Sequence, residues 1–186
     1  MSRGIYWHAP EVEKIIHDLV ETKCIFPDLL GVPITALFTE KTMKSKGQLI
    51  LAKIKKCSEF ELALVETMLE KDSSASPDSV PDPPPAYIMI VSNDAWLDLG
   101  IIEVDRVGKV DQAEALVFHE LSHCHVKVNE DDGIASYGTK DHDYTGFYAE
   151  AVKYGTWLDT YKDTVKAFNG EMPVEESEES KESKES

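Results

Sequence analysis

Ala115-Leu116-Val117-Phe118-His119-Glu120-Leu121-Ser122-His123 is the stretch on which the reading of this chain turns. Ala115 to Phe118 are apolar, and Leu116, Val117, Leu121 and Cys124 are candidate core positions in a helix predicted from Val110 to about Lys127. On a helix, residues four apart lie about 40° apart around the axis and one turn along it. His119 and His123 therefore point to one side, where two imidazoles can share a metal ion. A hydrolytic zinc site takes three protein ligands and keeps a fourth position for water. Glu120 directly follows the first histidine, so its carboxylate reaches a metal-activated water rather than the metal. From there it can take the water's proton and pass it to a leaving amine. Four of the six histidines fall between positions 119 and 142, which makes a coincidental pair on a surface helix the poorer explanation. His125 is turned about 200° from His123 and should not join the same metal.

A third ligand has to come from downstream, and His142, Asp141, Asp143 and Glu150 are the candidates. His142 lies between a polar loop, Glu130 to Asp143, and a final helix predicted from Phe147 to about Phe168. Imidazole also suits zinc where two ligands are already imidazoles. Asp143 can accept a hydrogen bond from a ligand imidazole or, more simply, cap the final helix. Tyr144 or Tyr137 can donate to the oxyanion on an attacked carbonyl, against the plainer role of packed loop aromatics. Cys124 reads as a small buried hydrophobe. Phe147, Ala151, Tyr154, Leu158, Tyr161 and Val165 fall near one face of the last helix.

Upstream, Tyr87 to Val91 is an unbroken apolar run and the strongest strand signal, as for a strand covered on both faces. Asn93 or Asp94 can cap a short helical turn through Leu99, which Gly100 ends. Further back, Pro10 suits a first helical turn, and Val12, Ile15, Ile16, Leu19 and Val20 form one apolar stripe. Ile34 to Thr39 reads as a strand, Lys41 to Gly47 as a solvated basic hairpin tip, and Gln48 to Lys56 as a second strand. Phe60 to Lys71 keeps helical spacing. Asp72 to Ala86 holds five of the nine prolines and reads as an exposed loop, with docking to an aromatic groove as its lesser alternative.

The 186 residues carry 19 Lys plus Arg against 35 Asp plus Glu, a net charge of −16. That balance argues against direct nucleic-acid binding, which rests on neutralising phosphates, and against an anionic membrane surface. No run approaches the ~18 apolar residues of a membrane span. Cys24, Cys57 and Cys124 cannot all pair with one another, and the first residues show no apolar signal-like stretch. The expectation is free thiols in a reducing compartment, hence a cytoplasmic chain, in the host cytoplasm if viral.

Ala86 to about Tyr154, a little over a third of the chain, resembles the putative phage metallopeptidase family, a zincin group related to the SprT-like and Spartan-type proteases. The likeness rests on the strand Tyr87 to Val91, the Asn-Asp-Ala-Trp turn ending at Trp96, and Ala-Leu-x-x-His-Glu-Leu-x-His from Ala115 to His123. An acidic loop, Glu130 to Gly133, and His-Asp-x-x-x-Phe, His142 to Phe147, complete it. The resemblance implies His119, His123 and His142 as zinc ligands and Glu120 as the base. Gly138 to Tyr144 is also similar to the Gly-Thr-x-Asp-x-x-Tyr of aspzincins, which would make Asp141 the third ligand; His142 is preferred.

The expected fold is α+β: a small, mainly antiparallel sheet packed on the active-site helix and a long C-terminal helix. Residues 1–170 would form one zincin-like domain with the Pro/Ser-rich loop at 72–86, and residues 171–186 a disordered acidic tail. The expected function is zinc-dependent hydrolysis of a protein or peptide substrate. The alternatives are a non-catalytic zinc-binding domain or an acidic interaction protein.

Overall fold

A computed structural model describes residues 6–45, 48–58, 84–129, 135–142, 147–158 and 161–162. The fold is α+β. At its centre stands β6 (Tyr87–Ser92), all six of whose residues are buried. Its neighbours are β2 (Ile34–Thr39), which runs parallel with Ile34 opposite Tyr87, and β5 (Ala52–Lys56), which runs antiparallel with Ile54 opposite Met89. A short β1 (Tyr6–His8), not anticipated from the sequence, pairs antiparallel with β2 and completes the order β1-β2-β6-β5.

The unbroken apolar run of β6 follows from cover on both faces. Tyr87, Met89 and Val91 enter the main core with α1 (Pro10–His17) and α3 (Gln112–Ser122), while Ile88 and Ile90 meet Leu37 and Cys57 on the other face. Each such apolar side chain contributes roughly 1.5–3 kcal/mol through burial.

The strand expected over Gln48 to Lys56 is broken at Leu51. Its first part, β4 (Gln48–Ile50), pairs with β3 (Met43–Ser45) in a separate two-stranded hairpin, and only β5 joins β6. The Leu51 carbonyl accepts from the Ser92 amide at 2.9 Å, so contact with β6 begins at the break itself.

After β6 comes α2 (Asn93–Asp98), as the sequence suggests, and then a hairpin it did not reveal, β7 (Ile101–Val104) with β8 (Gly108–Asp111). Its turn places Arg106 at φ +68° and Gly108 at φ +88°. Asp111 ends β8 and caps α3, its carboxylate accepting from the amides of Ala113 at 2.9 Å and Glu114 at 3.4 Å.

Two helices are shorter than expected. The first, α3, stops at Ser122, whose hydroxyl donates back to the Phe118 carbonyl at 2.8 Å. Beyond it, β9 (Cys124–Val128) pairs antiparallel with β10 (Ala135–Thr139), within the stretch read as a polar loop. Val126 and Val128 are β-branched and alternate with polar residues, a pattern that favours a strand once a partner is present. The helix expected from Phe147 to about Phe168 is interrupted: α4 (Tyr148–Tyr154) ends at Gly155, and Tyr161 and Lys162 are helical again. Gly155 has φ +63°, and a Cβ there would sit 2.8 Å from Val104 Cγ1 and 3.0 Å from Val107 Cγ2, so the β7–β8 turn occupies the space a side chain needs.

The helix expected over Phe60 to Lys71, most of the Pro-rich loop and the acidic tail lie outside the described residues. No helix among the described residues is long and apolar enough to cross a membrane.

Candidate metal centre and active site

The last turn of α3 carries His119 and His123 on one face, and the segment after β10 brings His142 over them. Ring centroids are 5.3 Å apart for His119 and His123, 4.8 Å for His119 and His142, and 4.5 Å for His123 and His142. One nitrogen from each ring lies within 4.8 Å of the other two. Three nitrogens on a tetrahedral zinc, each at 2.0–2.1 Å, stand about 3.4 Å apart.

The far sides of two rings fix which nitrogen faces inward. His119 Nδ1 is 2.8 Å from Glu150 Oε2, and His123 Nδ1 is 2.7 Å from the Lys140 carbonyl. Both partners are acceptors, so both Nδ1 atoms carry hydrogen and both Nε2 atoms present a lone pair. His119 Nε2 and His142 Nε2 approach to 3.0 Å, a contact that needs a shared proton or a shared cation. The donor set therefore fits a divalent metal.

Strand pairing holds the third histidine in place. The Lys140 amide donates to the His123 carbonyl at 2.8 Å, extending the β9–β10 ladder by one pair up to the end of α3. Beneath the ladder, the buried Tyr87 hydroxyl stands 2.8 Å from the carbonyls of both His125 and Gly138 and accepts from their amides at 3.3 and 3.2 Å. One phenol on the central strand thus clamps both strands that lead to the histidines. Phe147, also buried, meets the rings of His119, His123 and His142 edge-on at 5.4, 4.8 and 5.2 Å. It closes the apolar side of the cluster.

Glu150 is fully buried. It accepts from His119, from Trp157 Nε1 at 2.7 Å and from the Tyr161 hydroxyl at 3.0 Å. Burial works to raise its carboxyl, but the hydrogen bonds and the His119 charge outweigh that and hold it below the usual range. Burial alone would depress His119, yet the Glu150 carboxylate raises it. His123 and His142 are depressed, first by burial and then by the neighbouring His119. Glu150, a candidate third ligand by sequence, sits on the Nδ1 side of His119 and orients that ring instead.

Glu120 is 4 % exposed and faces a cleft of about 790 Å³. Burial pushes its carboxyl up to about 7, against the opposing effects of His119 and of the Ile54 amide that donates to it. Leu49 to Ile54, from β4 and β5, form one wall of the cleft, and Thr139 to His142 border the other side.

Other sequence candidates separate. Asp141 is exposed, and the converging group consists of the three histidines. Tyr137 stacks edge-on against Tyr87 at 5.8 Å, a packing role. Asp143 and Tyr144 lie outside the described residues. The partly buried Cys124 has its thiol pushed up to about 12 by burial. Tyr161 and Trp157 were not singled out as site residues, since only the folded chain brings them to Glu150.

No significant match was found among curated proteins or solved structures. The sequence model of the putative phage metallopeptidase family matches residues 5–169, from just before β1 to beyond Tyr161. On a match of that extent, the chain belongs to the putative phage metallopeptidase family.

Proposed function

We propose that this protein is a zinc-dependent peptidase in which His119, His123 and His142 hold the metal and Glu120 is the general base. The observation that carries this reading is the pair of imidazoles whose Nδ1 atoms are tied to acceptors while their Nε2 atoms converge with His142. Zinc bound there supplies Lewis acidity toward a carbonyl oxygen and toward water. Glu120, buried beside His119, takes the proton of the attacking water and delivers it to the leaving amine. Its raised proton affinity suits both halves of that transfer.

The cleft also favours a polypeptide substrate. β5 stands at the sheet edge with β6 as its one strand neighbour among the described residues, and it lines the cleft beside Glu120. An extended peptide can add to such an edge through main-chain hydrogen bonds. Three cysteines, Cys24, Cys57 and Cys124, that cannot all pair with one another suit a reducing, cytoplasmic setting. Residues 1–170 are read as one domain and 171–186 as an appended acidic tail.

The test is metal content and turnover measured in parallel. Glu120→Gln should keep about one zinc per chain and lose roughly 10²–10⁴ of the peptidase rate. His142→Ala should lose both metal and rate. A Glu120→Gln protein as active as the parent would refute this mechanism.

A further inference from the structure

Charge is distributed unevenly along this acidic chain. Residues 41–56 hold six of its 19 basic residues, at Lys41, Lys44, Lys46, Lys53, Lys55 and Lys56, and none of its 35 acids. The same stretch builds the β3–β4 hairpin and β5, the wall of the cleft. Lys53 itself lines the cleft. Lys44 pairs across the hairpin with Leu49, a cleft residue that is 57 % exposed, so both side chains stand on one face. Lys41, Lys44, Lys53 and Lys56 are exposed and make no ion pair among the described residues. Two cations elsewhere are used internally: Lys23 bridges Asp18 and Glu114, and Lys153 reaches Glu114 and lies over Phe118.

We propose that this lysine-bearing wall selects acidic polypeptide segments as the substrates of the cleft, a proposal that rests on the peptidase reading above. A peptide extended along the β5 edge presents its own side chains to alternate faces, at a repeat of about 6.7 Å on each. Carboxylates on it meet the exposed ammonium group of Lys53 on the strand and that of Lys44 on the adjoining hairpin, while the backbone pairs with the strand. A polynucleotide would meet the same lysines but has no backbone groups to continue a sheet. A polypeptide with locally clustered acids is therefore the better fit.

The experiment is fluorescence anisotropy on the full chain carrying Glu120→Gln and loaded with zinc, so that binding is read without cleavage. The probes are a short labelled peptide with glutamate at every second position, its glutamine counterpart, and a single-stranded DNA oligonucleotide. The glutamate peptide should bind roughly tenfold tighter than the glutamine peptide in low salt, and the difference should shrink as salt is added. Lys44→Glu combined with Lys53→Glu should abolish or reverse the preference while zinc content stays unchanged. Lys44→Gln with Lys53→Gln should abolish it without reversal. Equal binding of the two peptides, binding of neither, or a preference that survives charge reversal would overturn the proposal. Tighter binding of the oligonucleotide, lost in the same variants, would overturn it in favour of a nucleic-acid face. Failure of the parent protein to cleave any peptide would instead strike the peptidase reading, and the binding result would stand apart from it.

Discussion

His119 and His123 illustrate what one residue type at one spacing can specify. Helical geometry alone puts both rings on one side, so this half of the cluster was legible without any partner. The group that fixes the His119 ring was not, because Glu150 follows 31 positions later and meets it only through the packing of α4. Sequence spacing could nominate Glu150 as a ligand but could not show which side of the ring it would occupy. Its position gives a specific expectation. Glu150→Gln keeps the volume and an acceptor oxygen but removes the charge that raises His119 and stiffens its ring. Zinc affinity should fall about 10–100-fold, as read by competition with a chromophoric chelator, while far-UV circular dichroism stays close to that of the parent. Unchanged affinity would mean that Glu150 serves the core rather than the metal. Asp141 and His142 show the opposite limit: adjacent in sequence and both plausible by motif, they differ in placement, since the turn after β10 brings the histidine beside His119 and His123.

At the level of elements, periodicity located what local physics dictates and missed what pairing dictates. The apolar run of β6 and the stripe of α1 were readable because burial alone sets their patterns. Periodicity extends the preceding helix to about Lys127, because a five-residue strand over Cys124–Val128 becomes favourable only once Ala135–Thr139 lies beside it. The same holds for β1 and β7, whose partners define them. An apolar face that continues on to Leu158 and Tyr161 predicts one helix through Gly155, yet the backbone there adopts a conformation that residues other than glycine rarely take. The interruption matters for the site: it lets the chain turn so that Trp157 and Tyr161 both reach Glu150. Gly155→Ala meets two penalties at once, the positive φ and a contact of 2.8 Å with Val104. It should destabilise the protein by about 2–3 kcal/mol and lower Tm by roughly 4–12 °C in thermal unfolding. A shift smaller than a degree would mean that the turn is not held as the β7–β8 contact requires.

The whole molecule carries far more acid than base, and composition alone says little about where the excess is stabilised. The structure supplies one local answer, a cluster around Glu114 that joins three parts of the fold. Lys23 Nζ, just after the N-terminal helix, lies 2.7 Å from Glu114 Oε2 on α3. From α4, Lys153 Nζ at 3.3 Å and the Tyr154 hydroxyl at 2.8 Å reach Glu114 Oε1. Burial would raise the Glu114 carboxyl, but these donors hold it below its ordinary value. Lys23 is correspondingly raised, chiefly by its hydrogen bond to Glu114. The folded state therefore binds the Glu114 proton more weakly than the unfolded chain does. The stabilisation is present in full above the unfolded glutamate value of about 4.3 and is lost as pH falls through the lower folded value. Glu114→Gln removes it. At pH 7 and low ionic strength, the variant should be less stable by roughly 0.5–1 kcal/mol, the range for partly exposed pairs, and the gap should narrow as salt is added. Below the folded value the parent's carboxylate is itself protonated, so the two denaturation midpoints should converge there. Urea titrations of parent and variant at neutral pH and in the acid limb separate this from a packing effect, because lost packing would leave the gap constant across pH.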